Sequence, residues 1–458
     1  MLNWIWLCFV VVAVLVAGFT GRLEAMNNGA MAAAKDAVMV IALPLMGIWA
    51  VWLGVMRLAE QSGLVQLLAR ALRPIMRRLF PDVPPDHPAM GAMVLNMAAN
   101  MIGIGNAATP LGLRAMAHLE RLNPNPGVAS NAMCTFLAIS TASIQLVPTS
   151  AISILAVKGS TSAHAIWPTA FLASLCATAA GITAAKVLQR LPIFRIPPAG
   201  IAPTTATDRP APAAAEQLVE AETVQPAALR PWGKVIIGLF ITVFVIFLVM
   251  LAFRDAVAGW LEPHGFVIPA APKLLVGKPP VLRVLFSMAT LAIPFMLSFF
   301  PLYAALRGVR VYEQFVEGAK EAFGTAQRVI PYLVAMLVSI AMLREAGVFD
   351  MLQAWLGPLF KSLHFPADLL PMVLIRPMSG SATTGIFVEL VQRFGPDSLI
   401  ARTAATIYGS TETTFYVIAI YFGSVAVRQT RHAIAAGLAA DITAVIASVF
   451  LCRLFFPA

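Results

Sequence analysis

Asn96-Met97-Ala98-Ala99-Asn100-Met101-Ile102-Gly103-Ile104-Gly105-Asn106-Ala107-Ala108-Thr109-Pro110 lies among apolar residues and is poorly suited to run as one helix. Glycine and proline interrupt it, and three asparagines alternate with its apolar side chains. A second stretch, Arg376-Pro377-Met378-Ser379-Gly380-Ser381-Ala382-Thr383-Thr384-Gly385, is broken in the same way. Backbone that leaves a helix at membrane depth exposes unpaired N–H and C=O groups, each costing roughly several kcal/mol in lipid. Such breaks are tolerated inside protein or against a wet cavity, where freed backbone groups bind polar ligands or ions. Close helix crossing, with glycine admitting a neighbouring backbone, explains the same residues structurally. The occurrence of two breaks tilts the reading toward a polar site.

The surroundings place both stretches in a bilayer. Of 458 residues, 59% are hydrophobic and only 12% charged, about half the charged share of a soluble domain. Apolar runs near the ~20 residues of a membrane span recur along the chain. They are Trp4–Phe19, Val38–Met56, Ala132–Leu155, Ala165–Leu188, Val235–Phe253, Val284–Ala305, Val329–Leu343, Thr403–Phe422 and Ala433–Leu451. The first lacks a preceding basic region and a clear cleavage pattern, so it reads as a retained helix. Leu64–Leu79 has apolar residues at helix spacing and basic residues elsewhere, as in a helix lying on the membrane or across the bundle; Phe349–Leu363 is its counterpart. Residues 191–230, rich in Pro, Ala and Thr, form a water-exposed tether between membrane units at 1–190 and 231–458. The formal charge of +10 comes from basic residues between apolar runs, where they contact lipid headgroups and orient helices, so no nucleic-acid partner is expected. The four cysteines lie inside apolar runs without Cys-x-x-Cys spacing, and no histidine pair has metal-binding helix spacing. No metal or cofactor is called for.

The two units repeat one another. Ala34-Lys35-Asp36-Ala37 matches Ala319-Lys320-Glu321-Ala322, and Pro44 and Pro331 follow inside apolar runs. Arg57-Leu58-Ala59-Glu60-Gln61-Ser62-Gly63 then matches Leu343-Arg344-Glu345-Ala346-Gly347, and Ser140-Thr141 matches Ser410-Thr411. The run Val235–Phe253 is an extra leading span of the second unit. Simple up-and-down counting puts the five basic residues from Arg57 to Arg78 on the wrong side for the positive-inside tendency. A re-entrant segment in each unit removes the conflict.

Polar side chains concentrate near the breaks. The first Ser-Thr run carries Ser140, Thr141, Ser143 and Gln145; the second carries Ser410, Thr411, Glu412, Thr413 and Thr414. Between Ile407 and Val417, Glu412 is a carboxylate at depth, which requires a partner or a cavity. Arg376 is its candidate partner, as a staple between helices or as part of a substrate or proton site; placement near the interface is the third possibility. Glu389, Asp368 and Asp441 fall nearer expected helix ends and rank lower. No nucleophile elbow, zinc motif or phosphate loop is present, so enzymatic chemistry is not expected.

These residues resemble a known family. Leu2-Asn3-Trp4-Ile5-Trp6, Pro84-Pro85-Asp86-His87-Pro88-Ala89-Met90, Gly103 to Leu113 and Thr135 to Ser150 are similar to spore maturation protein A. Ile330-Pro331-Tyr332-Leu333-Val334-Ala335-Met336-Leu337-Val338, Arg376 to Ser381 and Tyr408 to Tyr416 are similar to spore maturation protein B. The chain looks like the two fused. The resemblance implies nucleoside-recognition, or gate, domains, a domain name shared with parts of nucleoside transporters and ferrous-iron permeases. It further implies a role in spore core dehydration and heat resistance where spores form. Arg376 and Glu412 lack charged equivalents in the first half, so the halves need not do the same work.

The expectation is an all-α polytopic protein of the inner (plasma) membrane, with two homologous gate-type units and broken or re-entrant helices. Its function is expected to be transport or permeation of a small solute or ion, nucleoside-related or cationic. A non-transporting membrane scaffold in envelope or spore maturation is the alternative. The expected pathway comprises Asn100, Gly103, Gly105, Asn106, Thr109, Ser140, Thr141, Ser143 and Gln145 from the first half. Arg376, Ser379, Gly380, Ser381, Thr383, Thr384, Ser410, Thr411, Glu412 and Thr413 join from the second. Membrane lipids and an unidentified small solute or ion are the expected partners, with a homo-oligomer open.

Overall fold

A computed structural model describes residues 2–103, 105–194, 228–264, 272–348, 351 and 365–457. The first unit runs through α1 (Leu2–Thr20), α2 (Leu23–Asp36), a π-helical turn (Ala37–Ala42), α3 (Leu43–Gln61), α4 (Leu64–Leu79), α5 (Pro88–Ile102), α6 (Gly105–Arg121), α7 (Asn131–Ala142), α8 (Thr149–Val157) and α9 (Trp167–Leu188). The second has α10 (Pro231–Ala252), α11 (Arg254–Leu261), α12 (Pro280–Leu306), α13 (Val311–Glu345), α14 (Leu370–Ile375), α15 (Gly380–Phe394), α16 (Leu399–Ser410), α17 (Thr414–Ser424) and α18 (Ala433–Phe455). The fold is all-α, polytopic and built from two similar helical units, with no β-sheet among the described residues.

Several spans exceed their apolar runs. Val38–Met56 lies inside a continuous helix over Leu23–Gln61, and Val329–Leu343 inside the 35 residues of α13. At 1.5 Å per residue, a 39-residue helix is about 58 Å long, nearly twice the ~30 Å hydrocarbon layer. Its charged turns, with Glu24, Lys35 and Asp36, therefore project past the apolar zone that hydropathy detects. By contrast, α10 is apolar apart from Lys234 and Thr242 and exposes Val235, Leu239, Val245 and Val249, a surface suited to lipid.

The repeat is visible in the backbone. Gly63 and Gly347, at the ends of α3 and α13, share a left-handed conformation, with φ of +83° and +85°. These two helices pack on each other at Gly54 and Gly318. A Cβ on Gly54 would come within 2.7 Å of the Phe315 ring, and one on Gly318 within 2.6 Å of the Leu53 carbonyl. The amphipathic helix expected at Leu64–Leu79 is α4, which buries Leu64, Val65, Ala69 and Met76 and exposes Arg70, Arg73, Arg77 and Arg78. Its expected counterpart at 349–363 falls outside the described residues apart from Met351, as does nearly all of the expected tether at 191–230.

Both interrupted stretches are turns between paired helices. The arms α5 and α6 lie side by side after a reversal at Gly103, whose φ is +93°. Asn96 ties them together, its Nδ2 donating to the Ala108 carbonyl at 2.6 Å. In the second unit α14 and α15 meet across residues 376–379. The two Ser-Thr runs, expected as continuous spans, are also broken. One becomes α7 and α8 separated by residues 143–148, the other α16 and α17 separated by 411–413. Pro148 and the left-handed Ser143 (φ +31°) break the first, while extended Thr411 (φ −143°) and Thr413 (φ −85°) break the second. The long helices α9 and α18 pack together, and each also packs on the broken helix of the other unit, α16 and α7 respectively. That exchange brings the two breaks side by side in the interior.

Candidate functional site

Helix ends at a break carry unpaired carbonyls and N–H groups, and here they find one another. The Glu412 N–H donates to the Thr141 carbonyl at 2.7 Å, joining the two broken helices. The Leu146 N–H donates to the Met101 carbonyl at 2.8 Å, tying the first broken helix to the tip of the α5–α6 hairpin. Phe415 does the same in the second unit, its N–H donating to the Pro377 carbonyl at 2.9 Å. Each break is thus fastened to the hairpin turn of its own unit and, through Glu412 and Thr141, to its counterpart.

Beside this junction lies a cavity of about 110 Å³ lined by Gln145, Ser150, Ala151, Arg376, Gly380, Tyr408, Gly409 and Glu412. Arg376 is buried; its Nη2 donates to the Tyr408 carbonyl at 3.0 Å, and its guanidinium carbon lies 5.1 Å from the centre of the Tyr408 ring. The Arg376 Nε has no hydrogen-bond partner. Gln145 Nε2 donates to Glu412 Oε1 at 3.5 Å. Arg376 and Glu412 therefore share a cavity, but they do not form the direct ion pair that the sequence suggested as one possibility. The guanidinium is drawn instead to the Tyr408 carbonyl and ring.

Of the residues expected in the pathway, Gln145, Arg376, Gly380 and Glu412 reach the cavity wall. Ser140, Thr141 and Ser143 are buried at the end of α7, and Ser410, Thr411 and Thr413 are buried at the opposing break. Ser379 caps α15, its hydroxyl accepting from the Ala382 N–H at 3.2 Å, and lies 3.3 Å from the Ser381 hydroxyl. Thr383 returns its hydroxyl to the Ser379 carbonyl, and Thr384 meets the Tyr408 hydroxyl at 2.9 Å. Asn100 donates to Asn96 within α5 at 3.4 Å, serving the hairpin itself. Gly103 and Thr109 occupy the hairpin turn and the first turns of α6, away from the cavity wall; Gly105 begins α6, and the Asn106 side chain is outside the described set.

Ser150, Ala151, Tyr408 and Gly409 line the cavity without having been expected there. Ser150, Tyr408 and Gly409 are legible in the sequence only as parts of family motifs, and Ala151 only once Pro148 restarts a helix. Asp441 is the more consequential omission. Far from a helix end, it is the ninth residue of α18 and is buried. Its Oδ2 accepts from the Thr414 hydroxyl at 2.6 Å, while Oδ1 has no hydrogen-bond partner. The other two lower-ranked carboxylates have cations: Glu389 lies 3.7 Å from Arg344, and Asp368 lies 3.7 Å from Arg393. Among the described residues, no group of three or more His, Cys, Asp or Glu is placed to hold a metal ion.

Outside the spans, a second tie joins the units. Asp397, between α15 and α16, accepts from the Ser160 hydroxyl at 2.7 Å, the Thr161 N–H at 3.0 Å and the Thr161 hydroxyl at 2.8 Å. Arg402 adds a contact at 3.3 Å. Burial pushes the Asp397 carboxyl up, but the hydrogen bonds from Ser160, Thr161 and Arg402 outweigh it and hold the group at about 2.

The nucleoside-recognition (gate) family model matches residues 42–158 and 326–428, which contain both hairpins and both broken helices. Spore maturation protein A of Bacillus subtilis is 46% identical over 154 residues, covering 34% of this chain and 78% of that protein. Spore maturation protein B of the same organism is 42% identical over 164 residues, covering 36% of this chain and 92% of that protein. A solved structure, the YdaH transporter of Alcanivorax borkumensis, aligns over 98% of this chain and 97% of that one, with a TM-score of 0.45 and 15% identity.

Proposed function

This chain belongs to the spore maturation protein A and B family, carrying A-like and B-like sequence on one polypeptide, and we propose that it transports a small solute or ion across the inner membrane. The solute binds where the two broken helices meet the hairpin turn at 376–379. The observation that carries this reading is the junction itself: two helices interrupted in the protein interior, bonded through Glu412 and Thr141, beside a cavity with a guanidinium and a carboxylate on its wall. Interrupted helices place polar backbone beside a ligand without exposing it to lipid. Glu412 senses or carries charge there, and Gln145 orients its carboxylate. Residues 1–190 and 231–458 act as the two units, with 191–230 as the tether.

Purified protein reconstituted in liposomes tests the proposal, with Glu412→Gln as the comparison. Flux of protons, metal ions, nucleosides or small organic ions that needs the protein and falls with the substitution is the expected result. Should none of these fluxes depend on the protein, the scaffold role takes its place.

A further inference from the structure

We infer that the cavity takes a small organic anion carrying its own hydrogen-bond donor, a short hydroxy- or amino-carboxylate; this deepens the transport reading and rests on it. The first observation is Arg376. Its guanidinium is buried at 5% exposure and lines the cavity, and its Nε donor is unmatched. A buried, partly unmatched guanidinium is poised to bind an anion.

The second observation comes from comparing the two breaks. In the second unit the start of α17 is occupied by the protein itself. The Thr414 hydroxyl donates to the Asp441 carboxylate, and the Phe415 N–H donates to the Pro377 carbonyl. Neither α17 nor the corresponding helix start in the first unit, α8 of nine residues, has a side-chain cap. The first-turn residues of α8, Ser150 and Ala151, face the cavity instead. Gly380, the first residue of α15, lies on the same wall. Where one repeat supplies a carboxylate from α18, the other leaves a helix start facing open space. Helix N-termini favour negative charge, so the starts of α8 and α15 add to Arg376 in favouring an anion. Glu412 and Gln145 are left to receive the solute's hydroxyl or amino group.

Size narrows the class. A cavity of about 110 Å³ lies below the roughly 300–1,000 Å³ of sites for drug-sized ligands, which suits a short carboxylate better than a base joined to a ribose.

The test is a ligand series on the full-length protein in lipid nanodiscs, following its thermal unfolding. Lactate and glycine are compared with acetamide, ethylamine and uridine. Lactate or glycine is expected to raise the unfolding temperature, while the other three leave it unchanged. Arg376→Gln should weaken carboxylate binding by about tenfold or more, and Arg376→Lys by less. The series on the unaltered protein decides the matter even if a substitution at this buried position impairs folding. Stabilisation by ethylamine or uridine without stabilisation by either carboxylate overturns the assignment, as does stabilisation by none. Carboxylate binding without flux would instead sink transport and leave the anion site standing. Nucleoside or cation flux without carboxylate binding would do the reverse.

Discussion

The backbone N–H of Glu412 donates to the carbonyl oxygen of Thr141 at 2.7 Å, so the two repeats are joined at the points where their helices come apart. Thr141 lies in the last turn of α7, and its carbonyl would otherwise belong to the unpaired helix end. The bond is independent of the Glu412 side chain, which separates architecture from chemistry. Glu412→Gln should therefore leave thermal stability within about 0.5 kcal/mol of the parent while reducing flux. Unfolding curves and liposome flux on the same preparation check both halves of that expectation.

Asp441 anchors the start of α17 through the Thr414 hydroxyl. In Asp441→Ala a buried hydroxyl loses its acceptor, and stability should fall by about 1–3 kcal/mol. Asp441→Asn keeps a carbonyl oxygen for Thr414 and should recover most of the loss. Tryptophan-fluorescence melting of the purified protein distinguishes the two variants.

The crossing of α3 and α13 depends on close backbone approach at Gly54. Gly54→Ala drives a Cβ into Phe315 and its carbonyl, at 2.7 and 2.8 Å, and should destabilise by about 1–3 kcal/mol. Gly47→Ala, on the same helix, meets nothing within 4 Å and should be neutral or stabilising by up to about 1 kcal/mol. Detergent-solubilised unfolding midpoints compare the pair directly.

Acid should loosen the tie at Asp397. Its carboxyl is held at about 2 against an ordinary value of 3.8, so it favours the folded state when ionised. That stabilisation is complete above about pH 4 and disappears as pH falls toward 2. Asp397→Asn should lower stability by about 1 kcal/mol at neutral pH and flatten the acid limb. Melting temperatures measured from pH 7 to about pH 3 test the direction.

Much of this architecture is legible without coordinates because bilayer burial writes itself into composition. The long apolar runs, the amphipathic Leu64–Leu79 and the breaks at Gly103 and Ser379–Gly380 all follow from hydropathy and from what glycine does to a helix. The breaks inside the Ser-Thr runs were less visible. Serine and threonine bond back to helix carbonyls at little cost, so Ser143 and Thr411 look harmless in a helix until tertiary contacts such as Glu412 N–H to Thr141 offer the backbone an alternative. Asp441 ranks low in the sequence as a residue nearer an expected helix end, whereas it is the ninth residue of α18 and sits well inside that helix. The meeting of Arg376 with the Tyr408 carbonyl and ring, rather than with Glu412, depends on how α14–α15 docks against α16, which a one-dimensional pattern does not encode.

The central claim is that the space between the broken helices lies on a solute path. Ser150→Cys places a thiol on the cavity wall, with exposed Cys8 and Cys176 replaced and buried Cys134 and Cys452 retained. A membrane-impermeant maleimide is then applied to right-side-out and inside-out vesicles. Labelling at position 150 from both faces is expected, because an alternating path opens to each in turn. Labelling from one face alone, or from neither, would contradict the account.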